Sequence, residues 1–228
     1  VRAGTWYDTA ASMVRHAAGH PQDPVAWTDP LLTFNTSCGG CHVSQLAVNY
    51  DPDADAYTTQ WSEPGINCET CHGPGEEHVR VCREAPAGTA PEDLRIQIVR
   101  TFTPEQRNDT CAACHAKAVV IDPDYAPAER FFDHFDLVAL EDADYHPDGR
   151  DLGENYTFTS WRMSPCVKAG GFDCVHCHTS SGRTRFLDER ANEACLPCHE
   201  ERVRDPAPHT HHAAAGLGSR CTSCHMPM

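Results

Sequence analysis

The sequence is poor in large apolar side chains. Leu, Ile, Val and Phe together account for 36 of its 228 residues, and the formal net charge is −15. A chain of this composition normally buries too little apolar surface to offset the conformational entropy that it loses on folding. We therefore expect a bound apolar group, rather than aliphatic side chains, to supply most of the core.

Lysine and long apolar runs are scarce as well. Lys117 and Lys168 are the two lysines beside sixteen arginines. The acidic excess argues against a nucleic-acid partner, because phosphates are bound by basic surfaces. No apolar run approaches the roughly 18–20 residues of a membrane-spanning helix, so no transmembrane segment is predicted. No signal peptide is visible, and we expect Val1 to lie at or beyond a processing site.

Cysteine, by contrast, is abundant: the chain has fourteen, and twelve of them fall in six Cys-x-x-Cys-His motifs. The cysteine pairs are Cys38 and Cys41, Cys68 and Cys71, Cys111 and Cys114, Cys174 and Cys177, Cys195 and Cys198, and Cys221 and Cys224. The histidines that follow them are His42, His72, His115, His178, His199 and His225.

The motif has a specific chemistry. Two cysteines three residues apart form thioether bonds to the two vinyl groups of one haem, and the adjoining histidine binds the iron as proximal ligand. Zinc sites also use Cys-x-x-Cys pairs, but they do not require a histidine directly after every pair. Redox-active dithiols need no histidine either. Six motifs therefore predict six covalently bound c-type haems.

Nine histidines lie outside the proximal positions, which is more than six irons need as distal ligands. They are His16, His20, His78, His134, His146, His176, His209, His211 and His212. We therefore predict two histidine ligands on every iron. Methionine is the competing distal ligand, but Met226 adjoins proximal His225 and cannot reach the opposite face of that iron. Met13, Met163 and Met228 are expected to be packing or tail residues.

The sequence context ranks these histidines. His78 follows a Gly-Pro-Gly turn that can direct it at a haem. His134 and His146 lie in 116–173, the longest stretch without an attachment motif. His16 and His20 are four residues apart, on one face if the segment is helical, and one of them is expected to bind iron.

Two further ligands are expected among the three histidines of 208–212. His176 lies inside its own motif, where it cannot reach its own iron, and we expect it to contact solvent or a propionate.

Two cysteines have no motif. The even remainder predicts one disulfide between Cys82 and Cys166, with two buried free thiols as the alternative. Such a bond indicates an oxidising compartment, and we expect an extracellular or periplasmic protein.

The motif spacing is irregular, and seventeen prolines and fifteen glycines interrupt the chain, so no sequence repeat is predicted. We expect one haem-wrapped domain over 1–228, with a possible N-terminal arm at 1–30. It should consist mostly of irregular coil and short α-helices with little or no β-sheet. Thr103-Pro104-Glu105-Gln106 has the form of a capping box with proline at the first helical position. Helices are predicted near 6–18, 91–100, 104–117 and 188–203.

From about Trp27 onward the chain resembles the haem region of multihaem cytochromes that carry tetratricopeptide repeats. The matching residues are Asn49-Tyr50-Asp51, Trp61-Ser62-Glu63, the run from Cys68 to Gly75 with His78-Val79, Tyr145 to Gly149, Gly170-Gly171, and Cys224 to Pro227. The family has a His-x-x-His tail, which falls on His209 and His212 and favours them over His211. This chain lacks the repeats, and Cys166 stands where the family tends to have methionine. The resemblance implies electron transfer.

These features predict a non-enzymatic electron-transfer protein whose partners are redox proteins or extracellular acceptors. A compact chain of this length has a radius of gyration of about 17 Å, so six haems must lie close to one another. The chain is expected to polymerise through haem-to-haem contacts into an extracellular conducting filament, with a soluble periplasmic shuttle as the alternative. A nitrite- or hydroxylamine-type reductase is disfavoured, because it needs an iron with an open position and all six proximal ligands are histidine.

Overall fold

The computed structural model describes residues 33–138, 145–151, 156–179, 183–196, 198–213 and 216–226. The chain divides into two compact units, the first ending at Gly171 and the second beginning at Phe172. Three attachment motifs fall in each unit. The single domain over 1–228 stays a prediction, and the arm at 1–30, like the helix expected near 6–18, lies outside the described residues.

The first unit is built from short helices joined by irregular segments. A π-helical turn, Phe34–Cys38, precedes the first helix, and a 3₁₀ turn, Val99–Thr101, precedes the fourth. The helices are α1 (Gly39–His42), α2 (Glu69–His72), α3 (Glu76–Glu84), α4 (Pro104–His115), α5 (Phe131–His134), α6 (Thr157–Met163) and α7 (Pro165–Lys168).

Strands in the first unit are two or three residues long. They are β1 (Val43–Ser44), β2 (Tyr50–Asp51), β3 (Ala56–Tyr57), β4 (Glu63–Pro64), β5 (Ala118–Val120) and β6 (Phe135–Leu137). They form three separate antiparallel pairs, β1 with β4, β2 with β3, and β5 with β6. In the last pair Val119 lies opposite Asp136. The prediction of short helices and coil with little sheet is confirmed.

Helix α4 begins as its sequence predicts. The Thr103 hydroxyl accepts a hydrogen bond from the Gln106 amide, and the Gln106 side chain accepts one from the Thr103 amide. Pro104 occupies the first helical position, where its missing N–H costs nothing. The capping box is therefore confirmed, and the helix ends at His115, the proximal histidine of the third motif.

A small aromatic cluster holds α4 in place. Ala112 of α4 and Ala116, the residue just after that helix, pack against Phe131 and Phe158, and these four buried residues form the hydrophobic core cluster. Phe131 is fully buried, and its ring lies 5.2 Å from that of Phe158. The carboxylate of Asp109, also on α4, accepts a hydrogen bond from the Phe131 amide at 3.1 Å. The third motif is therefore fixed by the best-packed part of the first unit.

The second unit contains α8 (Cys174–Cys177), a 3₁₀ segment (Asp188–Cys195), α9 (Glu200–Arg204), α10 (Ala207–Thr210), a 3₁₀ turn (Leu217–Ser219) and α11 (Cys221–His225). Hydrogen bonds of the Asn192 side chain connect two attachment motifs of this second unit. Its side-chain amide donates to the carbonyl of buried Ser219 at 2.9 Å, and its side-chain oxygen accepts from the Cys221 amide at 2.8 Å. The start of the sixth motif is thus tied to the segment that leads into the fifth.

The helix predictions had mixed outcomes. The helix expected near 188–203 appears as the 3₁₀ segment and α9, with a break between them. The prediction of a helix near 91–100 was wrong. Arg95 adopts a left-handed φ of 51°, and within this range helical structure is limited to the start of the 3₁₀ turn at 99–101. Helices α3 and α6 were not predicted.

Among the described residues, no helix is both long and apolar enough to cross a membrane.

Loss of the α4 cap should destabilise the first unit. We expect Thr103→Ala to lower the free energy of unfolding by about 1 kcal/mol, because the Gln106 amide at the helix start loses its hydrogen-bond partner. Thr103→Ser keeps the hydroxyl and should stay near the wild-type value. Thermal unfolding of the haem-loaded protein, followed by circular dichroism, checks both. Equal melting temperatures for the alanine variant and wild type would show that the cap contributes nothing.

Candidate haem-binding sites

Every attachment motif is built on a helical turn. The first, second and sixth lie in α1, α2 and α11, the third ends α4, the fourth lies in α8, and the fifth joins the 3₁₀ segment to α9. In the second, fourth and fifth motifs the histidine amide donates to the carbonyl of the first cysteine at 3.0 Å. Residues three apart in a helix share a face, so both cysteines of a motif project to one side. This arrangement suits two thioether bonds to one macrocycle.

The first and third motifs lie against each other. The Cys41 thiol donates to the Cys114 carbonyl at 3.6 Å, and the Cys114 thiol donates to the Gly40 carbonyl at 3.9 Å. Helices α1 and α4 thus meet through their attachment residues. Groups bound to these two motifs would be held close together.

The second motif adjoins the third. The pKa of the Cys114 thiol is raised, first by its contact with Cys41 and second by burial, with a smaller contribution from nearby Cys71. Burial likewise raises the pKa of the Cys71 thiol, and nearby Cys111 raises it further. The second motif also contacts the strand that follows the first, because the hydroxyl of Thr70, inside the second motif, lies 3.0 Å from that of Ser44. The first unit therefore gathers its three attachment sites at one place.

A cavity of about 940 Å³ opens beside the second motif. That volume is at the upper end of the range for ligand pockets, which is about 300–1,000 Å³. Cys68 and His72 of the motif line it together with His78 and Ile96. Arg83 also lines the cavity, and a guanidinium is suited to bind a propionate. The donor set and the size of this cavity fit a covalently attached haem.

Backbone carbonyls orient both histidines of this cavity. His72 Nδ1 lies 2.8 Å from the Gln97 carbonyl oxygen, and His78 Nδ1 lies 2.6 Å from that of Leu94. A carbonyl only accepts hydrogen bonds, so each Nδ1 carries the proton and each Nε2 keeps its lone pair. This is the tautomer that binds metals through Nε2. His78 therefore lines this cavity with its Nε2 lone pair available, and its ligation of iron stays a prediction.

His134, another predicted distal ligand, exposes little of its side chain. Its side chain is 12% exposed, and its ring meets that of Tyr125 edge-on with centroids 5.3 Å apart. Nε2 lies 3.1 Å from Glu129 Oε2, whereas Nδ1 is buried and has no hydrogen-bond partner. A buried ring nitrogen without a partner is costly unless a ligand uses it. Asp122 Oδ2 lies 3.9 Å from Nδ1, too far for a hydrogen bond, so Nδ1 rather than Nε2 is the nitrogen open to a ligand, and iron ligation by His134 stays a prediction.

His146 lies in a tight turn. Its amide donates to the Arg150 carbonyl at 2.8 Å, and the Gly149 amide donates to its carbonyl at 2.9 Å. Neighbouring Tyr145 is buried and its hydroxyl lies 3.1 Å from that of Thr159 in α6. The His146 side chain is half-buried at this anchored turn.

In the second unit the predicted tail ligands cluster near the sixth motif. The ring of His209 stacks on that of proximal His225 with centroids 5.9 Å apart and planes 11° apart. Arg202 donates to His209 Nδ1 at 2.9 Å. The ring of His212 lies over Gly218, where a Cβ would come within 2.5 Å of it. His211 adopts a left-handed φ of 59° at the end of α10.

His176 is placed differently from these candidates. Its Nε2 donates to the Ala194 carbonyl at 2.9 Å, and its ring lies 4.4 Å from that of Phe172. The nitrogen that usually binds a metal is therefore engaged with the backbone. The structure thus places His176 against the backbone and an aromatic ring rather than against solvent, and its not being an iron ligand stays a prediction.

Cys82 and Cys166 are both exposed and do not form a disulfide in the part of the chain that the structure describes. The Cys82 sulfur lies 3.8 Å from His78 Nδ1, one helical turn away on α3. The disulfide between Cys82 and Cys166 stays a prediction. His16 and His20 lie outside the described residues.

No group of three or more His, Cys, Asp or Glu side chains converges as a metal site within the described ranges.

Sequence reasoning missed three groups at these sites. Two are the backbone carbonyls of Leu94 and Gln97, which have no side-chain signature. The third is Asn192, which looks like any polar helix residue. The acidic residues that open α3, Glu76 and Glu77, together with Arg83 in its last turn, are a helix signal that was available in the sequence.

In comparisons with known proteins, one family model matches part of the chain. The family model described as cytochrome c554 and c-prime matches residues 6–73, which include the first two motifs. No curated protein matches. Among solved structures, the outer cell wall cytochrome OcwA is similar, with a TM-score of 0.42 and 19% identity over 84% of this chain. The match covers 44% of that protein's chain.

The six Cys-x-x-Cys-His motifs and the partial match over residues 6–73 together support a multihaem c-type cytochrome family for this chain.

Proposed function

We propose that the chain binds six c-type haems, one at each motif, with two histidines on each iron, and passes electrons along them. The coarser activity, electron transfer by a c-type cytochrome, is supported by the match of residues 6–73 to the cytochrome c554 and c-prime family model. The observation that carries the finer proposal is the convergence of three attachment motifs in the first unit, where the Cys41 and Cys114 thiols each contact the other motif's backbone.

The protein's own groups would hold the cofactors and set their environment. A bound haem supplies a one-electron iron couple. The cysteines fix the position of each ring, and the histidines complete the coordination. The low exposure of the His134 side chain limits the access of water to that ring. The net charge of −15 favours partners or acceptors of opposite charge and keeps the protein soluble.

A reductase is the alternative from another functional class. It would require an iron with one open position, where a small substrate binds. The number of histidines and the ligand-like environments of His78 and His134 support full coordination instead. We therefore propose an electron-transfer role without substrate turnover, outside the cytoplasm.

The haem count can be measured directly. Intact mass and iron analysis should give six haems per chain, and the double variant Cys68→Ala/Cys71→Ala should have five, because one ring loses both thioethers. Cys82→Ala is the matched control and should keep six. Fewer than six haems in the wild type would refute the count. Alkylation of the unreduced protein tests the pairing of Cys82 with Cys166, since a disulfide leaves neither thiol reactive.

His134 and His176 form a matched pair for the ligand assignment. His134→Ala should convert one iron per chain to the high-spin state, because a buried ring with a free Nδ1 is removed. His176→Ala should leave all irons low-spin, since its Nε2 is bound to the backbone. Optical and electron paramagnetic resonance spectra of the ferric protein report both. An entirely low-spin His134→Ala protein would show that another group binds that iron.

For the assembly, we propose that copies join end to end through haem-to-haem contacts, with one of His16 and His20 binding an iron of the neighbouring copy. The surplus of nine histidines over six distal positions supports this. Replacing each in turn should break or alter the junction seen by electron microscopy. If both variants assemble unchanged with six low-spin haems, the bridging role of His16 and His20 is excluded. A wild-type protein that stays monomeric would favour the alternative, a soluble periplasmic shuttle.

A further inference from the structure

One short segment, 93–97, contacts both histidines of the second-motif cavity. The Leu94 carbonyl accepts from His78 and the Gln97 carbonyl accepts from His72, at 2.6 and 2.8 Å. The side chain of Ile96, between them in sequence, lines the same cavity. A single stretch of backbone thus sets the ring orientation and the tautomer of two ligand candidates.

Two hydrogen bonds connect Gln97 to His72. Its amide donates to the His72 carbonyl at 3.0 Å, and its own carbonyl accepts from the His72 ring. Gly73, which follows His72, has a φ of 73°, and a Cβ there would lie 3.7 Å from the Gln97 side chain. The two hydrogen bonds fix the end of the segment against the proximal histidine.

The other end is shaped by Asp93. One oxygen of its carboxylate accepts from the Arg95 amide at 2.9 Å, and the other lies 3.0 Å from Arg95 Nε. Arg95 adopts a φ of 51°, a conformation that non-glycine residues seldom take. The Asp93 and Arg95 side chains are 66% and 60% exposed, so their ion pair by itself contributes little stability. The carboxylate matters because it holds a strained turn.

We infer that Asp93 is a positioning residue for the second-motif haem: it holds the turn that directs the Leu94 and Gln97 carbonyls at His78 and His72. The inference rests on the proposed haem ligation. A hydrogen bond from Nδ1–H to a carbonyl makes the imidazole a stronger electron donor to its metal and fixes the ring plane. The turn therefore lowers the reduction potential of the irons that these two histidines bind.

The test uses the haem-loaded protein. Asp93→Ala removes both carboxylate contacts, whereas Asp93→Asn keeps an oxygen for the Arg95 amide. Asp51→Ala is the matched control, since the Asp51 carboxylate accepts from the Asp53 amide at 2.9 Å in a similar exposed turn that contacts no candidate ligand. We expect Asp93→Ala to keep six haems, to shift one or two low-spin resonance signals and to raise the corresponding potentials. The two other variants should match wild type.

If Asp93→Ala does not yield a folded, haem-loaded protein, a second pair of variants tests the positioning role of the turn. Arg95→Gly and Arg95→Val both remove the ion pair, but glycine favours a positive φ and valine disfavours it. The valine variant alone should shift the signals and the potentials. A merely structural role would lower the melting temperature of both without moving a potential.

The outcomes separate this inference from the function on which it rests. If Cys68 and Cys71 of the wild type are open to alkylation, no haem is attached there and both proposals fail. If six haems are present, and the spectra and potentials of Asp93→Ala and Arg95→Val equal those of the wild type, the positioning role alone is overturned.

Discussion

The structure depends on attaching a large apolar group to a chain that cannot build a core by itself. Within the described residues, the buried hydrophobic side chains are Val43, Ala112, Ala116, Phe131, Tyr145 and Phe158. Ile121 is 64% exposed and Leu217 is 71% exposed, so these large aliphatic side chains do not contribute to a conventional hydrophobic core. At about 25 cal/mol per Å², side-chain burial on this scale is small beside the entropy of ordering the chain. Covalent haems supply apolar surface and also cross-link the polypeptide.

This constraint explains why secondary structure is so local. A motif of five residues needs one helical turn to place two thioethers and one ligand, and most of the helices are no longer than that. The longest of the described helices, α4, is capped at Thr103 and packed on Phe131, and it carries the third motif to meet the first. The second unit has no comparable aromatic cluster among its described residues. It relies on contacts such as those of Asn192, which connect one motif to the next.

The sequence was informative where chemistry or local rules act within a few residues. The motifs, the capping box at 103–106 and the scarcity of strands all belong to this class. It was misleading at 91–100, where Leu94 and Gln97 have helical propensity but their carbonyls serve histidines instead of helical amides. A failure of local rules is expected at functional sites. The pairing of His209 with His225, and the burial of His134, depend on tertiary packing that no spacing reveals.

The central claim is that haem, rather than side-chain packing, holds this fold together. The most direct test compares the thermal unfolding of the haem-loaded protein, followed by circular dichroism, with that of the same polypeptide made without haem attachment. We expect a cooperative transition in the loaded protein and none in the haem-free chain. A haem-free chain that unfolds cooperatively at the same temperature would contradict this account.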